Sequence, residues 1–376
     1  MLLRPSVRPL CLSLSFHSKA RRSYRPKCLS KDMGRVELDS KAKRQADFRL
    51  CNVSSHLTEL LEIRADDPKM HVLLIPGNPG VVPFYKDFVE SLYEFLEGNA
   101  SITAISHLSH TKKITFTFHP LALLLVGNAS DDQYVHFDHF HSFICSDWDH
   151  GRLFSLEEQT DHKMDFIKQE LENIEVPIIL VGHSIGSYIS IDMFRRYSEK
   201  VIYCIGLYPF LALNLQSTEQ SIIGKIAASR VVSVALSLMV ASLGFLPRSA
   251  LRLIVTNSLA KSWSAVAVEA TCSHLVQYHT MRNVLFMAMT EFRKLTATPD
   301  WAFMREKKEK LAFLFGGDDH WGPLQMFEEI SKQVPGIALS IERGHKHAFS
   351  CTEAGASCVA KYVASLIKNQ LLHSRQ

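Results

Sequence analysis

Ser184 lies between Gly182 and Gly186 in the run Gly-His-Ser-Ile-Gly, directly after the apolar residues 176–181 and ahead of Ile189, Met193 and Phe194, which recur at helical spacing. A serine hydroxyl is a weak nucleophile until an imidazole takes its proton and a carboxylate fixes that imidazole. Glycines two residues either side of a serine let a strand and a helix close on a strained turn, which lifts the hydroxyl above the end of the sheet. The remaining chemistry is supplied downstream. Asp318 and Asp319 follow the apolar run 311–315, and His345 and His347 follow the run 337–341. Nucleophile, acid and base thus come in the order such an elbow requires, each behind a strand. One turn aspartate or one loop histidine would read as surface, whereas the ordered set reads as a catalytic triad. The doublets leave Asp318 or Asp319, and His345 or His347, as alternatives.

Acyl transfer through a serine also needs donors for the developing oxyanion. The main-chain N–H of Ile185, just after the serine, is one. The run His71-Val-Leu-Leu-Ile75 stops at Pro76-Gly77-Asn78-Pro79-Gly80. A loop so dense in Gly and Pro after a buried strand exposes backbone, and the N–H of Asn78 is the expected second donor.

These residues need a scaffold. Two short strands from Asp47 onward precede 71–75, and Phe84, Phe88, Leu92 and Phe95 give an amphipathic helix ending at Gly98. A strand at 102–105, a helix from Phe154 to about Asn173, the elbow, and a strand at 201–207 continue the β, loop, α, β rhythm. After residue 300 come a strand at 311–315, a helix at 323–333, a strand at 337–341 and a last amphipathic helix carrying Val359, Val363, Leu366 and Ile367. The succession predicts an α/β fold with a mostly parallel sheet and helices on both faces. The expected organisation is a leader (1–46), a first core segment (47–215), an inserted lipid-facing helical cap (216–300), a second core segment (301–370) and a short tail (371–376).

The cap rests on residues 231–246, sixteen residues without a charge, closed by Pro247 and Arg248. They fall short of the roughly 20 residues a membrane-spanning helix needs. The segment reads either as a buried lid helix or as one lying in an interface.

Residues 111–150 break the rhythm. His136, His139, His141, Cys145, Asp147, Asp149 and His150 are all of metal-ligating type, but no spacing matches a ligand framework and Phe137, Phe140, Phe143 and Trp148 interleave. An irregular insertion is the expectation, with no metal and no cofactor. Residues 1–31 are rich in Arg and Ser, contain no acid, and read as an organelle transit segment or as sequence upstream of a second start at Met33.

Hydrophobic content of 47% and charged content of 21% exclude a disordered chain and a bundle of membrane spans. The formal charge of +4 is concentrated at the front, where residues 1–32 carry +7 and leave the remainder at −3. No nucleic-acid partner is implied. The eight cysteines form no C-x-x-C pair and fit reduced thiols. Oligomeric state leaves no mark in the sequence.

The serine elbow from Gly182 to Tyr188, the loop from Ile75 to Gly80 followed by Phe84-Tyr85, the pair Ser106-His107, and His347-Ala348-Phe349 together resemble the lipid droplet-associated hydrolase family of α/β-hydrolases, from about Leu50 to the C-terminus excluding the insertion. The resemblance implies an α/β-hydrolase fold and a serine carboxylic-ester hydrolase acting on lipid esters, such as sterol esters, with a role in neutral-lipid storage. It implies partners in the surface of the lipid droplet or endoplasmic reticulum. A plastid or mitochondrion is the alternative location if the leader is a working transit segment. By position it makes Ser184 the nucleophile, Asp319 the acid and His347 the base. The insertion and the leader depart from the family pattern. A serine at the elbow argues against dehalogenases and epoxide hydrolases of this fold, whose nucleophile is an aspartate. Thioesterase or acyltransferase chemistry uses the same serine and stays open. So does a surface scaffold with little turnover.

Overall fold

The structure is a computed structural model that describes residues 44–112, 151–258 and 262–373. The leader up to residue 43 and the insertion at 113–150, with its histidines and Cys145, lie outside the described residues.

Among the described residues eight strands form one sheet: β1 (Asp47–Val53), β2 (His56–Ile63), β3 (Met70–Ile75), β4 (Ala100–Ile105), β5 (Ile178–His183), β6 (Val201–Leu207), β7 (Leu311–Gly316) and β8 (Ala338–Glu342). Their order is β1-β2-β4-β3-β5-β6-β7-β8. The pairs β1–β2 and β2–β4 are antiparallel and all others parallel. Every residue of β3, β5 and β7 is buried, which is why these strands read as continuous apolar runs rather than alternating ones.

Parallel neighbours need crossovers, and helices supply them. They are α1 (Lys86–Phe95), α2 (Leu156–Glu170), α3 (Ile185–Arg196) and, after the sheet's sixth strand, a long helical excursion: α4 (Thr218–Ala228), α5 (Arg230–Ser242), α6 (Arg248–Ser258), α7 (Ala265–Ala270), a π turn (Thr271–Leu275), α8 (Tyr278–Lys294) and α9 (Trp301–Glu306). Then α10 (Leu324–Gln333) and α11 (Glu353–His373) complete the described chain. The two-residue period of the strands divides the core. Val72, Leu74, Ile179, Val181, Ile205 and Leu207 pack with Phe88 and Leu92 of α1 and Val359 and Val363 of α11. Leu73, Ile75, Ile178, Leu180 and Phe313 face the other way, against Phe166 and Ile167 of α2 and Ile189, Met193 and Phe194 of α3.

Two boundaries differ from expectation for local reasons. The helix expected from Phe154 starts at Leu156, because Ser155 and Glu158 form a reciprocal capping box. The apolar run 231–246 is not one helix, since α5 ends at Ser242 and a 3₁₀ turn covers Leu243–Phe245. Helix α5 turns its larger apolar side chains outward, the second of the two orientations the sequence leaves open. Ser233, Ser237 and Ala241, four residues apart, are its buried face, while Val231 and Met239 are 79% and 55% exposed. Small side chains let α5 lie close to α4 and α8, on which it packs. The Ser233 and Ser237 hydroxyls meet their needs on main-chain carbonyls, of Ile226 and Ser233 respectively. The larger apolar side chains are left outward. Ten of the thirteen exposed large apolar side chains among the described residues fall between 215 and 254. There, no single helix is long and apolar enough to cross a membrane, although Thr218–Ala228 and Arg230–Phe245, bent by 96°, reach the length and composition of one together.

Candidate active site

The elbow is built as its glycines require. Ser184 holds φ 55° and ψ −123°, a backbone conformation costly for any residue with a Cβ and kept only when the surroundings impose it. They do so by contact. A Cβ on Gly186 would lie 2.3 Å from the carbonyl oxygen of Ile75, and one on Gly182 would lie 2.3 Å from that of Gly186. The Ser184 N–H donates to Leu207 O at 2.9 Å, and its carbonyl accepts from Phe210 N at 3.1 Å. The serine therefore stands where β5 ends and α3 begins, pinned to the end of β6.

Asp319 and His347, the expected acid and base, meet across two loops. Nδ1 of His347 donates to Oδ2 of Asp319 at 2.8 Å. The other oxygen of Asp319 accepts from the N–H of Trp321 at 2.9 Å. Burial pushes this carboxyl up, but His347 and the N–H groups of Trp321 and Gly322 more than offset it, so Asp319 sits below the usual carboxylate range. Asp318 is exposed, and His345 is part of no such pair with the acid. Aromatic rings brace the histidine loop, with Tyr208 stacked on Phe349 at 5.3 Å and Trp321 6.3 Å from the His347 ring.

Base and serine are joined through His183. Its Nε2 donates to the main-chain carbonyl of His347 at 2.9 Å. Its Nδ1 is then the acceptor for the Tyr85 hydroxyl at 2.7 Å, and that hydroxyl in turn accepts from the N–H of Gly77 at 3.0 Å. Burial, and then the charge on His347, hold His183 down to about 3, so its ring is neutral and these roles do not change across the working range.

The 76–80 loop is held from beneath by the Ser106-His107 segment. His107 N–H donates to Gly80 O at 3.0 Å, and Gly80 N–H donates to Nδ1 of His110 at 2.8 Å. Burial keeps His110 down to about 3, as a neutral acceptor. With Gly77 and Gly80 engaged and Pro79 lacking an N–H, the Asn78 N–H is the loop donor not used by the scaffold among the described residues.

The family model of the lipid-droplet associated hydrolases matches residues 68–350. The chain belongs to the lipid-droplet associated hydrolase family. Relatives of that name include one from Gallus gallus, 26% identical over 75% of this chain and 80% of its own length. Another is from Rattus norvegicus, 26% identical over 81% and 86%. A third, from Dictyostelium discoideum, is 24% identical over 78% and 86%. Among solved structures, a membrane phospholipase A matches with TM-score 0.53 at 12% identity over 87% of each chain. The protein DBJA matches with TM-score 0.57 at 12% identity over 87% of this chain and 98% of its own. The fold is that of the α/β-hydrolases, and this member of the family is a serine hydrolase.

One residue of this site has no counterpart among the sequence expectations. Glu291, on α8, is 4% exposed and its Oε1 accepts from Nδ2 of Asn78 at 3.0 Å. The second hydrogen of that amide goes to Val284 O, also at 3.0 Å. Burial raises the Glu291 carboxyl to about 8, the Asn78 bond opposing. The available signal was a single acid inside the otherwise uncharged stretch 283–292. Tyr85 was noticed as part of a motif, but its bond to a histidine 98 positions away has no trace in local sequence.

Proposed function

We propose that this hydrolase cleaves carboxylic esters of lipids at a lipid–water surface, through an acyl-enzyme on Ser184. The observation that carries the reading is the 2.8 Å bond from His347 Nδ1 to the buried Asp319, joined through His183 to the strained Ser184 elbow. In this reading Ser184 Oγ attacks the ester carbonyl while its proton passes to Nε2 of His347. Asp319 fixes the tautomer and stabilises the imidazolium. The N–H groups of Ile185 and Asn78 take the oxyanion. The bond to the alcohol breaks, the alcohol leaving with the His347 proton. Water then attacks the acyl carbon as His347 takes its proton, and the acid is released as Ser184 regains its own.

Lipid as substrate is supported by the relatives' name and by the outward face of α5. The helices between residues 218 and 294 act in this reading as a lipid-facing cap, with α8 standing on the oxyanion loop through Asn78. Sterol esters, and a role in neutral-lipid storage at droplets or the endoplasmic reticulum, are the finer proposal. Fluorophosphonate labelling tests the chemistry: the protein is labelled once, and Ser184→Ala is not. Absence of labelling, or labelling that survives in Ser184→Ala, overturns it.

The same outward apolar face favours a second reading, a lipid-surface protein with little turnover. A fused reporter that reaches droplets equally with Ser184→Ala, in a protein showing no ester turnover, selects it.

A further inference from the structure

Asn78 is over-determined on one side and deficient on the other. Both hydrogens of its side-chain amide are spent, on Val284 O and Glu291 Oε1. Swapping its oxygen and nitrogen would set an oxygen against the main-chain carbonyl of Val284, which can only accept, so that bond fixes the assignment. Its Oδ1 is buried and has no donor. A buried amide oxygen left without a donor costs about 1–3 kcal/mol, and in a loop that must hold an N–H to within tenths of an ångström the defect calls for a partner. A carboxylic acid facing an amide can form two bonds at once, accepting from the N–H₂ with one oxygen and donating its proton to the amide oxygen with the other.

We propose that Glu291 stays protonated in the working enzyme and closes such a two-way pair with Asn78, making it the positioning residue that sets the oxyanion loop from the cap. Burial is what raises this carboxyl, to about 8, and the Asn78 bond alone opposes it. Titratable or charged groups on the elements packed against α8 are Glu157, Glu158, Asp161, His162, Lys163, Asp165, Lys168 and Glu170 of α2, Glu219 and Lys225 of α4, Arg230 of α5, and His274 of the π turn; α8 itself adds His279, Arg282, Arg293 and Lys294. None of these contributes to the shift. Loss of the proton removes the donor to Oδ1 and leaves a carboxylate against the loop that must receive a developing oxyanion. Ionisation of Glu291 therefore lowers turnover on the alkaline side. This inference rests on the serine-hydrolase reading of Ser184 and deepens it by giving the cap a control over the site.

The test compares wild type, Glu291→Gln and Glu291→Ala from pH 6 to 9.5. Glutamine offers the same oxygen and a permanent N–H donor, so it preserves both bonds without a titrating proton. The rate of fluorophosphonate labelling of the wild type is expected to fall at least tenfold between pH 7 and 9.5, with a midpoint near 8. Glu291→Gln stays within about threefold of the wild-type rate at pH 7 and loses the alkaline fall, whereas Glu291→Ala is slowed at least tenfold at pH 7. An alkaline fall that persists in Glu291→Gln, or a Glu291→Gln as slow as Glu291→Ala, overturns the proposal. Urea unfolding over the same range reads the proton independently of catalysis. The wild-type unfolding constant rises relative to that of Glu291→Gln by up to tenfold per pH unit until about pH 8, then levels. If no variant is labelled, the hydrolase reading has failed while this measurement still decides the Glu291 proton; equal slopes there overturn the pair.

Discussion

His183 holds the loop that carries the base: its Nε2 donates to the main-chain carbonyl of His347 at 2.9 Å. The residue that precedes Ser184 thus ties the His347 loop to the elbow. Through Nδ1 and the Tyr85 hydroxyl it also reaches Gly77 in the oxyanion loop. One buried chain of hydrogen bonds therefore links the Ser184 elbow, the His347 loop and the 76–80 loop.

Tyr85→Phe removes the donor to His183 Nδ1 and the acceptor for Gly77 N–H, leaving both buried groups unpaired. A loss of about 1–3 kcal/mol in unfolding free energy is expected. Turnover falls more than substrate binding does, because the oxyanion loop loosens. Urea denaturation with parallel ester kinetics measures both, and an unchanged stability would show that the chain carries no strain of position.

Asp319→Asn keeps the size of the side chain but loses the charge that holds His347 with its Nδ1 protonated. Turnover is expected to fall by about three to four orders of magnitude, with folding retained. Asp319→Asn also tests the pH linkage. The folded carboxyl lies below its unfolded value, so its contribution to stability is present above the unfolded pKa and is lost as pH falls through the folded one. The acid limb of the wild-type stability curve should flatten in Asp319→Asn. Asp318→Asn, an exposed change, should leave turnover within about twofold.

The placing of Ser184 and Asp319 at strand ends is legible because β5 and β7 are continuous apolar runs closed by Gly and polar residues, whereas β8 is a short, part-exposed strand whose place before His347 shows only in its Leu339 and Ile341. Sheet class is legible for the same reason. The choice within Asp318-Asp319 is not, because adjacent residues of a turn point in different directions and only the place of His347 distinguishes them. Nor is the orientation of α5 legible. A run of sixteen uncharged residues satisfies a buried and an exposed helix equally, and the serines that look like weak points are the packing face. Glu291 is hidden because an isolated acid on a helix ordinarily reads as solvated. Its partner, Asn78, lies 213 positions earlier.

Gly186→Ala tests how tightly the elbow is closed. The added methyl would meet Ile75 O at 2.3 Å and Pro76 O at 2.5 Å, and both belong to backbone that cannot swing away. The variant must push α3 off β3 and shift the oxyanion loop. A destabilisation of about 1–3 kcal/mol or more is expected, with fluorophosphonate labelling reduced at least tenfold in whatever remains folded. Wild-type labelling together with wild-type stability would mean that the elbow is looser than its contacts imply.

Outward apolar residues on α5 and the turn after it predict how the protein meets lipid. Met239 and Phe245 are 55% and 68% exposed, and no charge lies between Arg230 and Arg248. Moving such side chains from water into an acyl layer is worth up to about 1.5–3 kcal/mol each. Since the packing face of α5 is made of Ser233, Ser237 and Ala241, changing the outer face leaves the helix seated. Met239→Asp with Phe245→Asp is therefore expected to reduce binding to phosphatidylcholine-coated triacylglycerol droplets at least tenfold in a flotation assay. Turnover of a short water-soluble ester should stay within about twofold. Unchanged flotation would remove this face as the lipid contact, and a parallel loss on the soluble ester would show that α5 shapes the active site instead.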